Sequence, residues 1–152
     1  MVLGVVLTVV AAGTLHAQTP EAAPPAQAQP AAAPAFPSAQ AGLVLNFIKP
    51  DKTADFEEVM NKVKEALNTS ENPTRKQQAA GWRVYKSPDP AGPNVLYVFI
   101  IDPAVPGADY TVSNILAEAF PTEAQALYDK YAACYAMGLN RVNLNLLIDM
   151  GK

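Results

Sequence analysis

Asn46, Trp82, Arg83 and Tyr85 are the residues of this sequence best suited to chemistry. An amide, an indole, a guanidinium and a phenol all donate hydrogen bonds, and none is a strong base at neutral pH. Gathered in one place, such groups stabilise a developing oxyanion. Tyr97, Phe99, Arg141, Asn143 and Asn145 extend the set with further rings, amides and one more guanidinium. A partner to remove a proton is missing. The chain carries one His and one Cys, His16 and Cys134. The commonest general base and metal ligand is therefore almost absent.

Composition narrows the chemistry further. The 152 residues include 11 Lys or Arg and 14 Asp or Glu, for a formal net charge of −3. A mildly acidic chain lacks the basic face that neutralises phosphates, which argues against nucleic acid as a partner. One Cys permits no intrachain disulfide, and one His with one Cys does not furnish the usual zinc ligand set. No phosphate-binding glycine loop, dinucleotide fingerprint, nucleophile elbow or calcium loop occurs, so no cofactor is expected.

Three segments differ in composition. Residues 1–17 pair an apolar run, Val2 to Val10, with small residues ending in Leu15-His16-Ala17. That layout predicts a secretory signal peptide, although no Lys or Arg precedes the run. The run falls short of the roughly 20 apolar residues a membrane span needs, so export without stable membrane insertion is expected. Cleavage after Ala17 would remove His16 and leave no imidazole. Residues 18–41 form a tether in which Gln18 to Gln40 holds six Pro and nine Ala among 23 residues. With little large apolar surface to pack, it is expected to be extended and disordered. Residues 42–152 are long enough for one core.

Within that domain Gly42 to Lys49 is rich in β-formers and ends at Pro50, which predicts a first strand. Phe56, Val59, Met60, Val63 and Leu67 recur at helical spacing, with Asp51 or Thr53 as the expected cap. Pro73 is expected to open a short helical turn that Gly81 stops. Trp82 to Lys86 and Val95 to Ile101 predict the second and third strands around a turn-rich Ser87 to Asn94. Helices are expected over 111–119 and from Pro121 to about Met137, with Gly138 as the stop. Leu139 to Ile148 alternates and predicts a fourth strand. The order β-α-β-β-α-β predicts a ferredoxin-like α+β fold, a four-stranded antiparallel sheet with its helices on one face.

Side chains alternate across a sheet, so each strand has a helix-side row and an outer row. The apolar rows predict a core of Leu43, Leu45 and Phe47, of the uniformly aliphatic Leu96, Val98 and Ile100, and of Val142, Leu144, Leu146 and Ile148. Trp82 and Val84 are expected to join them. The outer face is then Asn46, Arg83, Tyr85, Tyr97, Phe99, Arg141, Asn143 and Asn145, beside Val44, Ile48 and Leu147. So many large apolar groups on a solvated face point to an interface or a ligand groove.

The strand order, domain length and aromatic, amide-lined sheet face resemble the dimeric α+β barrel superfamily, which includes antibiotic-biosynthesis-monooxygenase-like domains. The resemblance spans about Gly42 to Asp149 and is one of architecture, with no signature motif. It implies a homodimer packed sheet to sheet, each subunit holding a pocket between its own sheet and helices. It implies binding of a small apolar or aromatic ligand, or a structural role through association. The alternatives are a cofactor-independent oxygenase or isomerase, in which Asn46, Arg83 or Tyr85 would hold an enolate, and a subunit of a larger extracellular assembly. A haem-degrading version would require an iron-ligating His that the mature chain lacks. Each site residue also has a simpler role open to it. Asn46 pairs with a cross-strand amide such as Asn143 or Asn145, Trp82 sits in the core, and Arg83 and Arg141 pair with surface acids. Tyr131 and Tyr135 pack with Leu127 on a helix stripe, and Cys134 is an inert core thiol.

Overall fold

The computed structural model describes Phe36 and residues 40–151. The expected signal segment lies outside the described residues, as does the 18–41 tether apart from Phe36, Gln40 and Ala41. Strand β1 (Ala41–Ile48) leads through a single 3-10 turn at Pro50–Lys52 into helix α1 (Thr53–Thr69). Neither Asp51 nor Thr53 caps α1; Lys52 occupies the N-cap without a side-chain bond, because the preceding turn already brings the chain round into helical geometry. Helix α2 (Pro73–Gly81) opens on Asn72, whose side chain accepts from the Thr74 amide. Strands β2 (Trp82–Lys86) and β3 (Val95–Ile101) follow, then helices α3 (Val112–Ala119) and α4 (Ala124–Cys134) and strand β4 (Asn140–Leu144).

All neighbouring strands are antiparallel, in the order β2-β3-β1-β4. This is the ferredoxin-like arrangement expected from the element order. The element ends differ from the sequence reading: helix α4 begins at Ala124, after a turn over residues 121–123, and not at Pro121. Helix α4 stops at Cys134, ahead of Gly138, because the next residues turn back onto the end of β1. Ala136 N–H donates to the Phe47 carbonyl and Lys49 N–H to the Cys134 carbonyl. Strand β4 ends at Leu144, although the alternation continues to Ile148. Leu144 pairs with Ala41, the first residue of β1, so the ladder has no partner beyond it. Gln40 carries the contact on, its backbone amide donating to the Asn145 side chain and its side chain accepting from the Leu146 amide.

The faces of three strands are reversed from expectation. Val44, Asn46 and Ile48 of β1 and Tyr97, Phe99 and Ile101 of β3 are the buried, helix-side row. The register places Val44 opposite Phe99 and Asn46 opposite Tyr97, and it carries Arg141 of β4 onto the same side, opposite Val44. Leu43, Leu45, Phe47, Leu96, Val98 and Ile100 therefore face outward, with Val142 and Leu144 beside them. Strand β2 alone is oriented as expected: Trp82 and Val84 face the helices, while Arg83 and Tyr85 face out. The reason is volume. The helices bring Phe56 and a row of small or aliphatic residues, and the rings of Tyr97 and Phe99 fill the space above the sheet. The flat aliphatic row suits packing against another flat surface.

Two buried clusters result. One joins the sheet rings to Phe56, Tyr110 and Cys134; the other joins α1, α3 and α4 through Val59, Val63, Ile115, Leu116 and Leu127. Arg75 of α2 ties the far side together. Its guanidinium donates to the Glu118 carboxylate at 2.6 Å and to the Asp109 carbonyl at 2.6 Å, and Gln78 donates to that same carbonyl.

Phe36 is the least expected member of the core. It lies in the Pro/Ala-rich stretch, yet it is 1% exposed and meets Tyr110 edge-on at 5.4 Å. Its seat is Gly42: a Cβ there would lie 2.1 Å from the Phe36 ring. Gly42→Ala should therefore expel the ring and lower stability by about 2–4 kcal/mol, the cost of emptying a large apolar site. Phe36→Ala should cost a similar amount, and the double variant no more than either single one, because both remove one contact. Urea unfolding of the four proteins checks this; additive losses would show that Gly42 serves some other purpose.

Candidate functional site

Between the helix side of the sheet and the start of α3 lies a cavity of about 160 Å3. Val44, Phe99 and Ile101 of the sheet form part of its lining, with Trp82, Tyr110 and Phe36 adding rings. Arg141, Thr111 and Ser113 supply its polar groups, and Arg141 is the one charged residue among the lining side chains. The Arg141 guanidinium lies 6.0 Å from the centre of the Phe36 ring. Trp82 holds its position edge-on to Phe99 at 5.4 Å and to Tyr110 at 5.6 Å. Its indole N–H is buried with no acceptor among the described residues. A buried donor left unmatched costs about 1–3 kcal/mol, so shape and not polar satisfaction fixes this ring.

Of the nine residues singled out in the sequence, Trp82, Phe99 and Arg141 meet at this cavity. Asn143 shares their face of β4, and Tyr97 shares their face of β3 but reaches a different place, with Glu57 and Lys86. Arg83 and Tyr85 lie on the opposite face of the sheet. Asn145 follows the end of β4, where its side chain accepts from the Gln40 amide at 3.3 Å. The set Asn46, Trp82, Arg83 and Tyr85 is thus divided between two faces.

Asn46 is fully buried and fully occupied. Its Nδ2 donates to the carbonyls of Tyr97 (3.2 Å) and Val44 (3.3 Å), and its Oδ1 accepts from the Tyr135 hydroxyl at 2.8 Å. The Tyr135 hydroxyl is shared in turn with that of Tyr131 at 2.5 Å. No amide of β4 takes part. Asn46 joins β3 to the segment after α4, and it has no donor left for an oxyanion.

The phenols near the inner face are not bases. Burial pushes Tyr131 up to about 12, against the opposing effect of its bond to Tyr135. Burial, then the hydrogen bond its hydroxyl donates to Glu57, pushes Tyr97 up to about 12. Tyr135 and Tyr110 are raised by burial as well. All four stay protonated at neutral pH; Tyr97 and Tyr135 donate, to Glu57 and Asn46, and the Tyr110 hydroxyl accepts from the Val105 amide. Glu57 is held below its usual value by hydrogen bonds from Tyr97 and Lys86, so it is an anchored carboxylate. The Cys134 thiol is buried and donates to the Lys130 carbonyl, and burial raises its pKa, which keeps it out of the thiolate form.

Compared with family models, with curated proteins and with solved structures, the chain matches none. The fold and the cavity therefore have to carry the functional reading. Among the described residues, no group of three or more His, Cys, Asp or Glu could hold a metal ion. Among the same residues, no helix is long and apolar enough to cross a membrane.

Phe36, Tyr110, Thr111 and Ser113 are the cavity residues that sequence pattern does not reveal. Phe36 had one signal, since it is the lone large apolar residue of an otherwise Pro- and Ala-rich stretch. Tyr110 had none, because a single ring in a loop has no period.

Proposed function

We propose that this chain is an exported, non-catalytic association protein of the dimeric α+β barrel type, working as a homodimer packed sheet to sheet. The observation that carries this reading is the outer sheet face. Leu43, Leu45, Phe47, Leu96, Val98 and Ile100 lie side by side there, and none belongs to either buried cluster. Val142 and Leu144 continue the patch at 43% and 40% exposure. Soluble monomers rarely expose a contiguous apolar surface of more than a few hundred Å2.

A second copy of this chain is the occupant that fits. Strand rise and spacing give a face of roughly 25 Å by 19 Å, or about 475 Å2 per copy before side-chain relief is counted. Two copies then approach the ~1,000 Å2 that a specific interface needs. The residues after β4 add apolar surface, with Leu146 and Leu147 at 70% and 90% exposure. A two-fold pairing also suits the face, because a flat aliphatic row is complementary to itself.

The cavity supports a second component of the reading, a small apolar or aromatic ligand held in each subunit. A lining with several rings and no acid is built for such a molecule. The enzyme alternative has less support. Arg83 and Tyr85 are on the far side of the sheet from Trp82, and Asn46 is committed to three hydrogen bonds.

Native mass spectrometry of the protein as its host produces it tests the association. A dimer is expected at low micromolar concentration. A monomer at tens of micromolar would overturn the association reading, and a ladder of larger species would replace it with a higher-order assembly.

A further inference from the structure

We infer that the cavity is a site for a small aryl carboxylate, with the ring inside the subunit and the carboxylate at Arg141. The inference rests on the ligand-binding part of the proposed function and names its chemical class.

Size sets the first limit. An apolar cavity of ~150 Å3 accepts a benzene ring, and this one is about 160 Å3. One six-membered ring with a short substituent fills that volume. Shape sets the second. Trp82, Phe99, Tyr110 and Phe36 present ring edges and faces to the space, and aromatic pairs gain from such offset and edge-on contacts.

Charge sets the third limit. No Asp or Glu lines the cavity, and Arg141 does. Among the described residues Arg141 has no carboxylate within salt-bridge distance, whereas Arg75 is paired with Glu118. Thr111 and Ser113 also line the cavity. A guanidinium matches a carboxylate in a planar, two-pronged geometry, and hydroxyls add further donors. A cationic ligand would meet Arg141 with nothing to offset it, and a neutral one would leave the guanidinium unused.

Trp82 is the only Trp in the chain and lines this cavity, so its fluorescence responds to binding there, and the Arg141 variant assigns the response to this site. Benzoate, benzyl alcohol and benzylamine should be titrated into the full-length protein with excitation at the red edge of the indole band. Benzoate is expected to change the emission saturably, benzyl alcohol to bind at least tenfold more weakly, and benzylamine to bind more weakly still. Arg141→Gln should weaken benzoate at least tenfold and leave benzyl alcohol within about twofold, while Arg83→Gln on the outer face should change neither. Circular dichroism verifies that the variants fold. Equal affinity for benzoate and benzyl alcohol, or an unchanged benzoate affinity in Arg141→Gln, would overturn the carboxylate assignment and leave the ligand reading standing. No saturable response to any of the three would overturn this inference; the dimer, read separately by mass, is untouched by that result.

Discussion

Leu45→Asp is expected to turn the dimer into a monomer while leaving the subunit folded. Leu45 lies at the middle of the outer face, opposite Val98 on one side and Asn140 on the other. In a lone subunit it is only half-buried by its own neighbours, so a carboxylate there keeps much of its water. The cost to the monomer is then a change of strand preference and of cross-strand contact, about 1 kcal/mol. In a sheet-to-sheet dimer the same carboxylate is trapped among aliphatic groups, and the two-fold axis introduces it twice. Burying an unpaired charge costs several kcal/mol, and each ~1.4 kcal/mol is tenfold in affinity. Self-association should fall at least 100-fold. Sedimentation velocity of wild type and variant across a concentration series reads the change. Tyr128→Asp serves as the comparison, since Tyr128 is exposed and lies on α4, away from the outer sheet face. It should leave the mass unchanged. A Leu45→Asp protein that still sediments as a dimer would place the interface elsewhere.

Leu45 also shows where sequence reasoning reached and where it stopped. Element type and order were legible because they rest on local signals. The Phe56, Val59, Val63 and Leu67 spacing specifies α1, the turn residues from Ser87 to Asn94 separate β2 from β3, and Pro73 opens α2. The facing of the sheet was not legible, because it depends on which row the helices cover. An all-apolar strand such as Val95–Ile101 has no polar row to exclude from the core. Choosing its aliphatic row for the core reverses β1 and β4 with it, since the ladder locks Leu45 to Val98 and Leu43 to Val142. The orientation of β2 contained the contradiction: Trp82 and Val84 facing the helices require Ile101 and Phe99 to do so too. That requirement appears only once the register is known. The same reversal turned the candidate site inside out. Trp82, Phe99 and Arg141 were found as residue types, but their meeting with Phe36 and Tyr110 depends on contacts far apart in the chain.

The second large effect is expected at Asn46, where a change of one atom separates a structural role from a catalytic one. In Asn46→Asp the shape is kept, and Oδ1 still accepts from Tyr135. The Nδ2 that donated to the carbonyls of Tyr97 and Val44 becomes an oxygen facing two carbonyl oxygens. Ionised, that carboxylate is fully buried and faces lone pairs; protonated, it regains one donor and resembles the amide. Burial and the two carbonyls should therefore raise its folded pKa well above the unfolded ~3.9. Over the interval between those values the folded state holds more protons than the unfolded state. The sign follows: stability relative to wild type falls as pH rises through that interval, at up to ~1.4 kcal/mol per pH unit, and levels off above the folded pKa. Unfolding in urea should show the variant within about 1 kcal/mol of wild type near pH 4 and weaker by about 3 kcal/mol or more at pH 8. A deficit that does not grow with pH would mean that the carboxylate is solvated and that Asn46 is not sealed between β3 and the chain after α4. A variant as stable as wild type at both pH values would return Asn46 to the oxyanion-holding role, because only a residue the fold does not need can be kept for chemistry alone.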